Sequence, residues 1–241
     1  MTRLTLLKAA TIVSSTLILS TTVFASENLS PRQVSIIEIS ADTASGNLEA
    51  LKKDLVKGLE SGLTVNEIKE ILTQLYAYTG FPRSLNGINT FMDVMNVRQK
   101  EGIKDEIGKK ASPLPKNLNK DQFGAQMRAR IGGRKTIPAP SGYQVFAPTI
   151  DTYLKEHLFC DIFIRDNLDH QSRELATVGA LAAMKGTEGQ LRFHLNGALN
   201  MGMTPAQMKS FANVISQHMG AESGSRTSQV LEQVLSQRGD K

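Results

Sequence analysis

The sequence has few cysteines and few aromatic residues, and each shortage excludes a class of protein. Cys160 is the only cysteine among 241 residues, so no disulfide within the chain can stabilise the fold. Trp is absent, and aromatic residues make up 5% of the chain. The lysines and arginines are scattered, whereas nucleic-acid-binding proteins usually combine basic clusters with stacking aromatics. We therefore expect no nucleic-acid partner, and we expect a buried, inert thiol at Cys160, whose neighbours are mostly apolar.

Only the N-terminus carries a long, mostly apolar run. Arg3 and Lys8 give the chain a positive start, the run at 9–19 follows, and Ala25 ends a motif with small residues at the −3 and −1 positions. Residues 1–25 are therefore predicted to be an export signal that is cleaved. The run is too short and too rich in Ser and Thr for a comfortable membrane span. We expect a weakly basic mature protein in the periplasm or the medium, with no membrane contact after cleavage.

The chain contains an internal repeat. A shift of 140 positions lays residues 33–96 on residues 173–236 without a gap. The matching positions are mostly leucines that pack helices and glycines that end them. The matched pairs are Gly46 with Gly186, Leu51 with Leu191, Leu55 with Leu195, Leu59 with Leu199, Gly62 with Gly202, Thr64 with Thr204, and Gly80 with Gly220.

Each copy is predicted to form three helices. In the first copy, a helix over 31–43 is followed by a stripe of leucines at helical spacing over 48–59. Thr64 and Glu67 have the spacing of a capping box that opens the third helix. The second copy repeats these features, and 226–236 is predicted to be the last helix.

A segment rich in proline and glycine separates the copies. Residues 108–148 contain five glycines and five prolines, a spacing that breaks any long helix. We predict an ordered connector with one short helix around 121–130. The chain thus divides into a first helical repeat at 29–107, this connector, and a second helical repeat at 149–236.

Two segments of the second copy form a distinctive pair. Residues 188–204 read EGQLRFHLNGALNMGMT, and residues 174–183 read ELATVGALAA. They resemble the carboxymuconolactone decarboxylase family, in which a helix carrying a histidine runs into an Ala-Leu-Asn-x-Gly-x-Thr turn and an upstream helix carries a glutamate. Residues 66–86 of the first copy resemble a duplicated branch of the same family. The resemblance extends over most of 29–234.

The resemblance implies an all-α fold of two tandem helical repeats. Single-repeat members of the family assemble into rings, and a chain with two repeats would supply two ring positions. A homo-oligomer, either a dimer or a trimer, is therefore implied.

The family also implies two chemistries. One branch decarboxylates a carboxy-lactone, and the alkylhydroperoxidase D-like branch reduces peroxides with a Cys-x-x-Cys pair just before the histidine. Here Thr187 and Gln190 occupy the two thiol positions, so neither a nucleophile nor a resolving thiol is present there. The same two residues have the spacing of a helix capping box. Peroxidase chemistry could proceed only through Cys160.

His194 and Glu174 are the candidate catalytic residues. Loss of carbon dioxide leaves an electron-rich carbon, and a histidine can deliver a proton to it near neutral pH. A carboxylate could fix the tautomer of the histidine or act as a second acid or base. The alternative is that His194 is a packed, hydrogen-bonded core residue. The first copy has Asp54 and Val34 at the corresponding positions, which predicts that its own site is lost.

Arg83, Tyr76 and His157 are the candidate substrate-binding residues. Arg83 lies at a Gly-Phe-Pro-Arg-Ser corner, where a rigid turn could hold it towards a substrate carboxylate. Tyr76 and Tyr78 lie on different sides of their helix, so at most one of them can face a shared pocket. His157 and Asp161 have a spacing that suits two metal ligands, but a surface ion pair is the commoner reason for it. No third ligand is evident, so we predict no metal and no cofactor.

Three hypotheses about function follow. The leading one is a carboxymuconolactone-decarboxylase-like enzyme, a carboxy-lyase that acts on a small carboxylate or lactone by cofactor-free acid–base chemistry. The second is a peroxiredoxin-like activity through Cys160. The third is a non-catalytic binding or assembly module that keeps the fold alone.

Overall fold

The computed structural model describes residues 28–239, so the predicted export signal lies outside the described part of the chain. That part contains helices and no strand, which confirms the all-α prediction. A π-helix over Tyr153–Ile162 separates α6 from α7. The α-helices are α1 (Pro31–Ser45), α2 (Leu48–Glu60), α3 (Val65–Lys100), α4 (Lys120–Ile131), α5 (Tyr143–Phe146), α6 (Pro148–Thr152), α7 (His170–Ala183), α8 (Glu188–Asn200), α9 (Pro205–Met219) and α10 (Ala221–Gly239).

Local capping accounts for several helix starts. Thr64 accepts a hydrogen bond from the Glu67 amide at the start of α3, and Thr204 does the same with Gln207 at the start of α9, as predicted. The prediction of a capping box at Thr187 is wrong, because its side chain makes no cap hydrogen bond. The backbone of Thr187 has φ −114° and ψ 19° rather than an extended conformation, and its hydroxyl group donates instead to carbonyl oxygens at the end of α7.

The repeat of the sequence is also a repeat of the fold. The shift of 140 places α1 on α7, α2 on α8 and the first half of α3 on α9. Gly80 interrupts α3 with φ 77° and ψ 161°, and Gly220 separates α9 from α10 with φ 91° and ψ 165°. A positive φ favours glycine because it has no Cβ. The second half of α3 is therefore the counterpart of α10.

Both copies contribute to one hydrophobic core. The central contact is between α1 and α7, and residues from 36 to 94 and from 168 to 234 belong to the same buried cluster. α7 consists largely of small side chains, which allow a close approach. A Cβ at Gly179 would lie 2.9 Å from the Ile37 carbonyl oxygen, closer than such contacts tolerate.

The connector returns to pack against the second copy. The predicted short helix is α4, which lies against the π-helix and α8, but the prediction of a single helix is wrong because the connector also contains α5. The apolar residues of the π-helix come in pairs, Leu158 with Phe159 and Ile162 with Phe163, and they form a second cluster with α4. The wider turn of a π-helix lets both members of each pair face that cluster. Cys160 is fully buried, which confirms the prediction for its environment.

A buried polar network ties α3 to α7. Arg173 is 0% exposed, and its guanidinium donates to Glu70 and to Gln74, each at 2.9 Å. Arg165 and Asn167 also donate to Glu70. Burial alone would raise the pKa of Glu70, but the hydrogen bond from Arg165 and the charge of Arg173 hold it below its ordinary value of 4.5.

Between residues 28 and 239, no helix combines the length and the hydrophobicity that are needed to cross a bilayer.

We expect Glu70→Gln to destabilise the protein by about 3–5 kcal/mol, because it leaves a buried guanidinium without its charged partner. The free energy of unfolding, measured by urea titration at pH 7, checks this. Glu70 contributes fully above pH 4.5, and the contribution is lost as the pH falls through its lower folded pKa. The free energies of unfolding of the wild type and of the variant should therefore become equal at acidic pH.

The matched control is Glu222→Gln. Glu222 pairs with Lys185 at 2.7 Å, but both side chains are 74% exposed. Exposed pairs contribute little, so this variant should unfold like the wild type. Equal losses in the two variants would contradict a special role for the buried network.

Candidate active site

Glu174 of α7 and His194 of α8 form a buried pair. Oε2 of Glu174 lies 2.9 Å from Nδ1 of His194. Glu174 is 0% exposed and His194 is 4% exposed. An ionised carboxylate only accepts hydrogen bonds, so with Glu174 ionised Nδ1 would carry the proton and Nε2 would be free to contact a ligand.

A glycine makes the close approach of α7 and α8 feasible. Gly197 lies one turn after His194, and a Cβ at this position would be 2.8 Å from Oε2 of Glu174 and 2.7 Å from Cγ2 of Ile131. Both distances are shorter than real Cβ contacts. The residue at 197 thus sets how closely Glu174 can sit beside His194.

A cavity of about 660 Å³ opens beside His194. This volume is in the range of small-molecule sites, roughly 300–1,000 Å³. Its wall is mainly apolar, with a few polar groups that could orient a ligand. The lining residues are Ala77, Tyr78, Arg128, Tyr143, Ile150, Leu154, Leu158, Phe159, Gly189, Gln190, Phe193 and His194.

Tyr78 comes from the first copy and packs on the histidine of the second. Its ring meets the His194 ring edge-on, with 5.4 Å between centroids. Burial, and then the nearby charge of Glu174, raise the pKa of Tyr78 well above its ordinary value of 10, so the hydroxyl group stays protonated. Tyr78 is therefore a neutral hydrogen-bond donor in the cavity wall.

Two polar atoms of this site lack a well-aligned partner within residues 28–239. They are Oη of Tyr78 and Oε1 of Glu174, and both are buried. Thr177 lies beside the Tyr78 hydroxyl group and lowers its pKa, and Glu174 does not line the cavity, so these atoms do not by themselves mark a ligand.

Arg128 of α4 brings a positive charge to the cavity. One of its nitrogens donates to Asp151 at 2.6 Å. Burial would raise the pKa of Asp151, but hydrogen bonds from Arg128 and Gln144 lower it, so the carboxylate is ionised and holds Arg128 in place. The guanidinium has five donors, and those not used by Asp151 can meet an anionic ligand.

The structure places the three predicted substrate-binding residues outside this cavity. Arg83 donates to the Ala44 carbonyl oxygen near the end of α1. Tyr76 stacks on Phe81 with 4.5 Å between centroids, because it points to the opposite side of α3 from Tyr78. None of the three predicted residues lines the cavity wall.

His157 instead takes part in a surface ion pair. Its Nδ1 lies 3.2 Å from Asp161, which also pairs with Lys120 at 2.8 Å. His157 is about half exposed. This arrangement is the surface ion pair that the sequence left open as the alternative to a metal site. The Cys160 thiol nearby is buried, and burial raises its pKa, which disfavours the thiolate that peroxide chemistry needs.

Sequence reasoning missed Tyr78 and Arg128 as cavity residues. One lies on the first copy and the other on the connector, and no motif links either of them to His194. The only sequence signal was that Tyr76 and Tyr78 cannot both face one pocket, and it did not say which of them would.

Comparison with known proteins found one family model that matches both copies. The model of a family described as the Carboxymuconolactone decarboxylase family matches residues 14–91 and 148–221, which is more than half of the chain. The two matches fall on the two copies, and the first begins inside the segment predicted to be an export signal. None of the curated proteins compared with the chain matches it.

We expect Gly197→Ala to destabilise the protein by about 1–3 kcal/mol, the usual cost of overpacking, and to push Glu174 away from His194. Thermal unfolding and the NMR signal of the His194 Nδ1 proton measure the two effects. Gly189→Ala in the same helix is the control, because a Cβ there meets no described atom within 4 Å. An unchanged Nδ1 signal in Gly197→Ala would contradict the packing argument.

Proposed function

Because this chain belongs to the carboxymuconolactone decarboxylase family, we propose that it is a carboxy-lyase whose His194–Glu174 pair supplies acid–base chemistry to a small carboxylate or lactone. The observation that carries the proposal is the 2.9 Å contact between a fully buried glutamate and a histidine in the cavity wall. A carboxylate that contacts a histidine at a cavity can orient that histidine for proton transfer to a ligand.

The proposed reaction begins with a protonated His194. The bond between the substrate and its carboxyl carbon breaks, carbon dioxide leaves, and the electron pair passes into a neighbouring carbonyl group as an enolate. Nε2 of His194 then gives its proton to the carbon, and the imidazole regains a proton from solvent. Glu174 stabilises the imidazolium and fixes its orientation through Nδ1.

Two further side chains have proposed roles in this reaction. Tyr78 stays protonated, so its hydroxyl group can donate to the oxygen on which the enolate charge develops. Arg128 is the cation in the cavity wall and would hold a substrate carboxylate. The apolar wall favours loss of carbon dioxide, because a poorly solvated carboxylate gives way to a neutral product.

The other expectations from the sequence enter this proposal unchanged. We propose that the protein is exported to the periplasm or secreted, that it forms a dimer or a trimer of this chain, and that its chemistry needs no cofactor. The peroxiredoxin-like alternative has less support, because Thr187 and Gln190 replace the thiols and Cys160 is buried away from the cavity wall.

The test is carbon dioxide release from carboxymuconolactone and from a panel of carboxylated lactones and keto acids. We expect His194→Ala to lower kcat/KM by about 100-fold or more, the usual contribution of a general acid. Tyr78→Phe should lower kcat more than it raises KM, because its hydrogen bond strengthens in the transition state.

His157→Ala is the matched control, since this histidine also contacts a carboxylate but lies outside the cavity. It should retain wild-type turnover. Turnover that survives in His194→Ala would contradict the proposal, and turnover that is lost on blocking Cys160 would favour the peroxidase. A ligand that raises the Tm of the wild type without any turnover would favour a binding module.

A further inference from the structure

A second cluster of titratable side chains lies between α1, α2 and α9, and none of its residues lines the cavity. Nε2 of His218 lies 3.1 Å from Oδ1 of Asp42 and 3.4 Å from Oδ2 of Asp54. One ligand atom from each residue lies within 4.8 Å of the others. Asp42 is 2% exposed, and Asp54 is 9% exposed.

This cluster occupies the counterpart of the candidate active site. The shift of 140 places Asp54 on His194 and His218 on Tyr78. The sequence predicted that the site of the first copy is lost, because Val34 replaces Glu174. The structure shows a different set of polar groups in its place, in which Asp42, from the next turns of α1, supplies the carboxylate.

Three polar atoms of the cluster lack a hydrogen-bond partner in the described part of the protein. Oδ2 of Asp42, Oδ2 of Asp54 and Nε2 of His218 are all buried, and none makes a well-aligned hydrogen bond with residues 28–239. Lys57, which lies three residues after Asp54 on α2, pairs with Glu38 at 2.5 Å. The two buried carboxylates share one imidazole, and the carboxylate oxygens that lack a hydrogen bond are available to bind a cation.

We propose that Asp42, Asp54 and His218 bind a divalent transition cation of the Zn²⁺ type. Ligand atoms at about 2.0–2.2 Å from Zn²⁺ in a tetrahedron lie about 3.3–3.6 Å apart, and the observed separations of 3.1 and 3.4 Å are close to this spacing. Two carboxylates balance the charge of the cation. A mixed nitrogen and oxygen set suits Zn²⁺ better than Ca²⁺ or Mg²⁺, which prefer oxygen ligands.

The site would keep one coordination position for water. Three protein ligands leave the fourth tetrahedral position free, as in zinc sites that bind a reactant. The side chain of His218 is 19% exposed, whereas that of Asp42 is 2% exposed, so a cation would approach from the His218 side. Both copies would provide ligands to the cation, because α9 belongs to the second copy and α1 and α2 belong to the first.

The test is Zn²⁺ titration of the purified, chelator-treated protein, with Co²⁺ as a spectroscopic probe. We expect one Zn²⁺ per chain, a higher Tm with Zn²⁺, and the visible absorption of four-coordinate Co²⁺. Asp54→Asn and His218→Gln keep the shapes of the side chains and should each weaken Zn²⁺ binding by at least 10-fold, the loss typical when a site is disturbed. Far-UV circular dichroism checks that both variants fold.

His157→Gln and His194→Gln are the matched controls. Each removes a histidine that contacts a carboxylate elsewhere in the fold, so each should bind Zn²⁺ like the wild type. Loss of the Zn²⁺ signal in either control, or no uptake by the wild type, would overturn the proposal.

X-ray absorption on the Zn²⁺-loaded wild type needs no variant. A shell of nitrogen and oxygen with one imidazole would support the site, and a sulfur ligand would overturn it.

Discussion

The buried contact between Arg173 and Glu70 is the constraint on which the candidate active site depends. Arg173 immediately precedes Glu174, so whatever fixes the guanidinium also fixes the start of α7. On α3, Glu70, Gln74 and Tyr78 follow one another at four-residue spacing, and the first two bond to Arg173. The polar network thus aligns α3 against α7 and brings Tyr78 to the Glu174–His194 pair. A hydrophobic contact has no direction, and it would not specify this register.

The two copies are similar in backbone and different in chemistry. At the candidate active site, His194 lines an apolar cavity that the connector helps to enclose, and the buried Glu174 contacts this histidine. At the counterpart position, Asp42 and Asp54 of the first copy meet His218 of the second copy, without a wall from α4 and the π-helix. Helix α4 of the connector packs on the π-helix and α8, whereas Gly108 at the start of the connector accepts a hydrogen bond from Asn66 of the first copy. The packing of α4 gives the second site a cavity wall that contains Arg128.

Much of the fold could be predicted from the sequence, because caps, leucine stripes and glycines act locally. The 140-residue shift predicted that α2 and α8 are equivalent helices of the two copies. The Pro and Gly residues predicted the connector and its helix α4. The pairing of His194 with Glu174 rested on family resemblance alone. Tyr78, Arg128 and the Asp42–His218 contact were not predictable, since they depend on how α3, α4 and α9 pack across the copies. Thr187 misled because its spacing suits a cap, whereas its backbone conformation does not.

Because each site combines side chains from both copies, the two sites of this chain can change independently during evolution. In a symmetric dimer of single repeats, one substitution alters both sites at once, because both come from one gene. In this chain, positions 54 and 194 are separate codons, and so are 78 and 218. Each site can therefore acquire its own chemistry while the shared core stays the same. Fusion of the repeats releases the two sites from having to evolve together, although neither half of the chain carries a complete set of side chains.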